Sequence, residues 1–313
     1  MRASITLSPN APALHGNLAE LLRVTEGLAA ALHEVEEAIR LATAQGSRVD
    51  ALTMQQVELD LLFDLGRWEE LVERAPALIS QLSEIEDDYA QASVEVRMVR
   101  ALLLRRDPDG ESAASCLQRA RRIGDPQVLL PALVVAGSAA ALAGDRDELA
   151  RLLGEIESDL DSVGEAIRPL YLPEITRLAV WSQDLQLAER LIETTRPTTP
   201  ASLAGQASAQ AALREATEDL DQAISHYSDA VERWTALGHV VERAYGLLGL
   251  GRCRLAAGDL EGVDDALAAR DIFAGLRAQP LIAEADRLLT ADQCLSSRLN
   301  CHTATADPAE RTH

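Results

Sequence analysis

The sequence predicts an all-α fold, an α-α superhelix built as a stack of helical hairpins. Three observations predict it: a composition dominated by Ala and Leu, a turn motif that recurs every 35 to 42 residues, and apolar residues spaced three and four apart between those turns. Hydrophobic residues make up 47% of the 313, enough for a sizeable core, while aromatics are only 3%. β-branched residues are sparse, so intrinsic preference runs to helix rather than strand.

Along the chain, residues 1–14 read as a flexible arm, and an opening helix is expected over 17–45, carrying His33, Glu36 and Glu37. The recurring turn follows. Leu65-Gly66-Arg67-Trp68-Glu69-Glu70-Leu71 has the form small or Gly, polar, bulky, acidic, any, apolar; it returns at 143–149 and 257–263. Looser copies lie at 182–188 and 218–223, and a longer variant at 106–113. The anchors Leu71, Ala113, Leu149, Ala188, Ala223 and Val263 keep the period of helical-hairpin solenoids.

Each unit makes physical sense. A Gly ends one helix by supplying a left-handed cap without a Cβ clash. An Asp beside it accepts free N–H groups of the next helix. Second helices carry small residues at helical spacing, as in Ala223, Tyr227 and Ala230 or Ala113, Leu117 and Ala120, so neighbours can approach closely. One hairpin cannot bury its own apolar face, so the units must stack. Breaks at Gly124-Asp125-Pro126, Arg196-Pro197-Thr198-Thr199-Pro200 and Leu237-Gly238-His239 fall between units. The expectation is about six hairpins plus an N-terminal helix over 15–290. A polar, disordered tail is expected over 291–313.

With the units in register, the segment Ala223-Ile224-Ser225-His226-Tyr227-Ser228-Asp229-Ala230-Val231 resembles the second helix of a tetratricopeptide repeat, and Leu250-Gly251 matches the Leu–Gly pair of a first helix. Other copies are degenerate: Leu or Val often replaces the anchor Ala, and the closing Pro is mostly absent. Over 201–289, the run from Glu242 to Cys253 followed by Ala269-Arg270-Asp271-Ile272-Phe273 is similar to the C-terminal repeats of large bacterial signalling proteins. In those, an AAA- or STAND-type ATPase precedes the repeats, with a class III adenylate cyclase or LuxR-type DNA-binding domain elsewhere. The resemblance implies a sensor or scaffold arm of such a regulator, either free-standing or as its C-terminal part. It brings no catalytic residues, because those other portions have no counterpart here.

Composition narrows the chemistry. The net charge is −21, from 50 acids against 29 bases, and every base is Arg. Such a surface repels phosphate backbones and anionic lipids, so nucleic acid and membrane are not expected partners. Without Lys there is no P-loop and no Schiff-base lysine. Cys116 and Cys253 fall on apolar helical faces and are expected to be buried thiols. Cys294, Cys301 and His302 match no zinc spacing. The N-terminus lacks a signal-peptide core, and Val128 to Gly144, uncharged over 17 residues, reads as a buried helix rather than a span. A cytoplasmic location follows as an expectation.

Reactive motifs each meet a plainer explanation. Gly246, Gly249 and Gly251 have the wrong order for a dinucleotide fingerprint and sit inside a helix, where close packing accounts for them. Asp107-Pro108-Asp109-Gly110 lacks a Glu at the twelfth position of a calcium loop and reads as a turn. His33, Glu36 and Glu37 read as a solvated face. The acidic run Glu84-Ile85-Glu86-Asp87-Asp88 lacks the stacking aromatics a sugar cleft needs. Trp68, after a turn Gly, reads as a packing anchor. No catalytic residue, cofactor or metal is expected.

What remains is the concave wall, lined in tetratricopeptide stacks by the first helix of each unit. That register projects Gln56, Asp60, Glu95, Met98, Arg105, Arg106, Arg177, Trp181, Tyr245 and Arg252 onto the wall. A row of Arg there could clamp carboxylates of a peptide or phosphates of a small ligand, or pair with neighbouring acids. The expected function is a non-catalytic interaction scaffold or regulatory module whose partner is a protein, a peptide, or an ATPase or cyclase domain of the same regulator. The alternative is an effector-sensing domain that binds a small molecule in the groove.

Overall fold

A computed structural model describes residues 11–105, 110–160 and 168–290. The described residues form fifteen helices and no strand. They are α1 (Pro12–Thr25), α2 (Leu28–Ala44), α3 (Arg48–Asp64), α4 (Trp68–Glu84), α5 (Asp88–Arg105), α6 (Gly110–Ile123), α7 (Pro126–Ala143), α8 (Arg146–Asp159), α9 (Arg168–Ser182), α10 (Leu185–Thr194), α11 (Pro200–Ala216), α12 (Leu220–Leu237), α13 (Val240–Ala256) and α14 (Glu261–Leu276). The last, α15, spans 279–290.

Most joints between helices are a few residues long, so successive helices fold back and pack on one another. The predicted cap chemistry operates at these joints. Gly144 ends α7 at φ 75°, and Asp145 beside it accepts from the Glu148 N–H at 3.1 Å to start α8. Asp125, Asp184 and Asp219 cap α7, α10 and α12 in the same way. Thr199 and Ser202 form a reciprocal capping box at α11, with Pro200 in the first turn where its missing N–H costs nothing.

Two expectations about the helices are corrected. The opening helix over 17–45 is two helices, because Gly27 adopts φ 117° and breaks it. A Cβ at that position would lie 2.8 Å from the Leu237 carbonyl oxygen, so the break is also where the N-terminal hairpin meets the end of α12. The count of six hairpins plus one helix falls two short of the fifteen helices: α1 and α2 are separate, and α15 follows the last turn. Helix α1 begins at Pro12, inside the stretch expected to be an arm. The rest of that stretch, the 106–109 turn, and the 291–313 tail with Cys294, Cys301 and His302 lie outside the described residues.

Small side chains set the helix spacing. Ala223 and Ala230 are fully buried with Tyr227 between them, as are Ala113 and Ala120 around Leu117. A Cβ on Gly249 would lie 2.2 Å from the Tyr227 ring, and one on Gly251 would lie 2.9 Å from the Gly262 carbonyl oxygen. The three glycines of α13 are therefore packing surfaces, as their sequence context suggests. Trp68 is an anchor: it is 1% exposed, stacks on Phe63 at 5.2 Å, and donates its Nε1–H to the Phe63 carbonyl. Burying each such ring stabilises the fold by roughly 1.5–3 kcal/mol. Cys116 and Cys253 are buried. Helix α7, the one described helix long and apolar enough to cross a membrane, is a core helix whose Val128, Leu130, Leu133 and Val134 are buried among α5–α11.

The chain also closes on itself. One hydrophobic cluster joins Phe63, Trp68 and Leu71 of α3 and α4 to Val241, Leu248 and Phe273 of α13 and α14, and to Leu281 of α15. Across that seam a Cβ on Gly66 would touch Leu276 and Val240 at 3.0 Å, and Glu69 pairs with Arg277 at 2.9 Å. These contacts enclose an interior lined by the odd-numbered helices and α12.

Candidate functional site

Two chambers occupy that interior. The first, about 470 Å³, is lined by α5, α7, α9, α11, α12, α13 and α15. The second, about 390 Å³, is lined by α1, α3, α5, α7, α9 and α12, with His239 and Glu242 at the start of α13. Both fall in the size range of small-molecule sites.

Helical periodicity places the lining residues. On α9, Glu174, Arg177, Leu178 and Trp181 recur at three- and four-residue spacing and form one wall of the first chamber. Tyr245, Gly246, Leu248 and Arg252 of α13 form the facing wall, with Tyr227 and Glu215 beside them. Leu142 and Trp181 are exposed apolar side chains at the rim. The remainder is mainly Ala, Leu and Val.

The arginines of this chamber are fully engaged. Arg177 donates twice to Glu242, at 2.8 Å each, and its guanidinium lies 4.1 Å above the Tyr245 ring. Arg252 donates to Glu215 at 2.6 and 3.1 Å and to Glu284 at 2.7 Å, while the Tyr227 hydroxyl donates to the same Glu215 at 2.6 Å. Burial tends to lower the pKa of both guanidinium groups, but their carboxylate partners outweigh it and the net shift is upward. Burial pushes the Tyr227 and Tyr245 hydroxyls up, so both stay protonated at neutral pH.

The second chamber is more polar. Arg23 pairs with Asp64 at 2.7 Å, and Arg97 donates to Asp60 at 2.8 Å and to the Tyr171 hydroxyl at 3.0 Å. Burial alone would raise the Asp64 pKa, but Arg23 beside it, with His239, Arg97 and Arg100, brings it down to about 2. His239 is 7% exposed, its Nε2 has no partner, and its ring lies 4.7 Å from Trp234; burial holds its pKa below the ordinary value. Glu20 also lines this chamber, and desolvation by the surrounding helices raises its pKa. Tyr89, donating to Gln127 at 3.0 Å, is pushed up to about 12 by burial.

Ion pairs bridge the two spaces. Arg100 lines the second chamber and pairs with Glu174 of the first; Glu242 lines the second and holds Arg177 of the first. The partition between the chambers is thus made of paired charge.

Of the projected wall residues, Arg177, Trp181, Tyr245 and Arg252 meet in the first chamber, and Gln56 and Asp60 line the second. Glu95, Met98 and Arg105 line neither. Glu95 pairs with Arg119 of α6, Met98 packs against the core shared with α13–α15, and Arg105 reaches Glu69. The inner face of α5 instead runs through Tyr89, Ser93, Arg97, Arg100 and Leu104, and at about 100° per residue Glu95 and Met98 lie on the opposite side of the helix, roughly 140–160° from its centre. Arg106 lies outside the described residues. Sequence reasoning missed Arg97, Arg100, Tyr171, Glu174, Glu215, Tyr227 and Glu242. The spacing of Arg97 and Arg100 was a usable signal, since two arginines three apart share one helical face.

Among the described residues, no group of three or more His, Cys, Asp or Glu side chains is arranged to hold a metal ion. The serines of the first chamber are tied to neighbours: Ser138 donates to the Val134 carbonyl, and Ser208 accepts from Trp234 Nε1. Among the described residues, no His lines that chamber to act as their base. In comparisons with known proteins, no family model matches this chain, and no curated protein matches it.

Proposed function

We propose that this chain is a non-catalytic regulatory module, a tetratricopeptide-like superhelix that senses a small effector in its first chamber. It would pass the signal to a protein partner or to an ATPase or cyclase domain of the same regulator. One observation carries this reading: a cavity of about 470 Å³ whose walls come from helices distributed between α5 and α15. A ligand held there touches several successive hairpins at once. Its binding energy therefore favours one relative placement of them, which is what a two-state sensor requires. The contacts of α3 and α4 with α13 and α14 favour a compact ligand over a peptide threaded along an open groove. A scaffold role without a ligand remains the rival.

The test is a thermal-shift screen of small metabolites against the wild type and Leu142→Trp, a change at the exposed rim that narrows the entrance without entering the core. A compound that raises the melting temperature of the wild type and not of the variant supports the sensor, because only binding to the native state stabilises it. If no compound does so while a purified peptide or protein partner binds both forms equally, the chain is a scaffold instead.

A further inference from the structure

Resting on the reading of the first chamber as a ligand site, we infer that its ligand is an organic cation with an apolar or aromatic body, and not an anion. The lining holds Arg177 and Arg252 against Glu174, Glu215 and Glu284. Adding the partners across the partition, Arg100 and Glu242, leaves the carboxylates one in excess inside the chamber, with Arg146 outside it against the Trp181 ring. The arginines, which as a sequence feature suggest an anion clamp, offer no free fork: Arg177 is held bidentately by Glu242 and covered by Tyr245, and Arg252 is divided between two glutamates. An anion entering here would have to break one of these pairs and face the released carboxylate.

The surplus sits at Glu284. Glu215 is saturated, accepting from Arg252 on both oxygens and from Tyr227. Glu284 takes a single contact from Arg252, through Oε1, and its side chain is 40% exposed. It stands among the chamber residues with Pro280, Leu281, Leu142 and Trp181. An ammonium or other soft cation can approach its outer oxygen without displacing any guanidinium, while an apolar body fills the Leu- and Ala-lined space. Arg146, whose guanidinium lies 5.4 Å from the Trp181 ring centroid, covers that ring, and a ligand entering past Trp181 would have to avoid or displace it. The net charge of −21 adds a long-range attraction for cations approaching the chamber.

A matched pair of probes tests this: tetraphenylphosphonium and tetraphenylborate, which share one shape and differ in the sign of their charge. Each is titrated into the full chain in sodium buffer at 150 mM salt, where surface attraction is largely screened. Two readouts apply, melting temperature and tryptophan fluorescence. Trp181 is 38% exposed at the rim while Trp68 and Trp234 are buried, so quenching that disappears in Trp181→Phe places the probe in the chamber.

The expected result is that the phosphonium binds and quenches, the borate does not, and Glu284→Gln weakens the phosphonium by about five- to tenfold. That variant changes the total charge by one and keeps a side-chain oxygen to accept from Arg252, so loss of fold or of general attraction does not mimic the effect. Equal or tighter binding of the borate overturns the cation assignment and leaves the chamber as a ligand site. So does phosphonium binding indifferent to Glu284→Gln. If neither probe binds, both the assignment and the ligand-site reading fall.

Discussion

Arg177 of α9 and Glu242 of α13 are joined by two hydrogen bonds of 2.8 Å, although three helices lie between them in sequence. The pair ties the two chambers together and fixes Tyr245 under the guanidinium. Arg177→Ala leaves Glu242 facing a polar void without its counter-charge, and is expected to destabilise the fold by about 3 kcal/mol. The double variant Arg177→Met/Glu242→Leu should recover most of that loss, because it removes both desolvated charges. Urea denaturation of Arg177→Met, Glu242→Leu and the double variant measures the coupling. If the single changes add without interaction, the pair does not organise the interior.

Asp64 makes the fold acid-sensitive in a defined window. Its carboxyl titrates near 2 in the native state, against 3.8 ordinarily, because the cost of burial is outweighed by Arg23 together with His239, Arg97 and Arg100. A depressed acid contributes stability that is complete above its unfolded pKa and fades as pH falls through the native one. The Asp64 contribution, about 2 kcal/mol, should therefore be present above pH 4 and disappear on the way down to pH 2. In Asp64→Asn the stability curve should be flatter over that interval, as followed by helical circular dichroism against urea at each pH.

His239 acts in a higher window with the same sign. Burial lowers its pKa below 6.5, so the unfolded chain takes up the proton first, and stability declines as pH falls below about 6.5. His239→Asn removes this titration. The variant should lose less stability than wild type between pH 7 and pH 5, whatever its absolute stability at pH 7. An unchanged slope would mean that the ring is already solvated in the native state.

Gly27 and Gly258 both adopt positive φ, but only Gly27 has a neighbour. A Cβ there meets the Leu237 carbonyl oxygen at 2.8 Å, whereas one on Gly258 meets nothing within 4 Å. Gly258→Ala should cost about 1 kcal/mol of backbone strain and leave the shape unchanged. Gly27→Ala should cost at least about 2 kcal/mol and also loosen the N-terminal hairpin from α12. Hydrogen exchange in α1 and α2 separates the two cases: faster exchange in Gly27→Ala alone is expected, and equal protection in both variants would exclude the packing argument.

The sequence alone determined the helices, most of their ends, and which residues are small because a neighbour is close. These are local properties. The Gly144-Asp145 joint follows from backbone freedom and a capping carboxylate three residues from its N–H, and Ala223, Tyr227 and Ala230 are buried because they share one stripe. The inner faces of α9 and α13 were legible for the same reason, since Arg177 and Trp181, or Tyr245 and Arg252, follow helical period. Only the tertiary structure decided what those faces meet. That Arg177 finds Glu242 and Arg252 finds Glu215 depends on how helices distant in sequence are placed against one another. That placement sums small rotations at every joint, so no single motif encodes it. It also brings Gly66 against Val240 and Gly27 against Leu237, and leaves two chambers with their arginines already paired where a concave wall was expected.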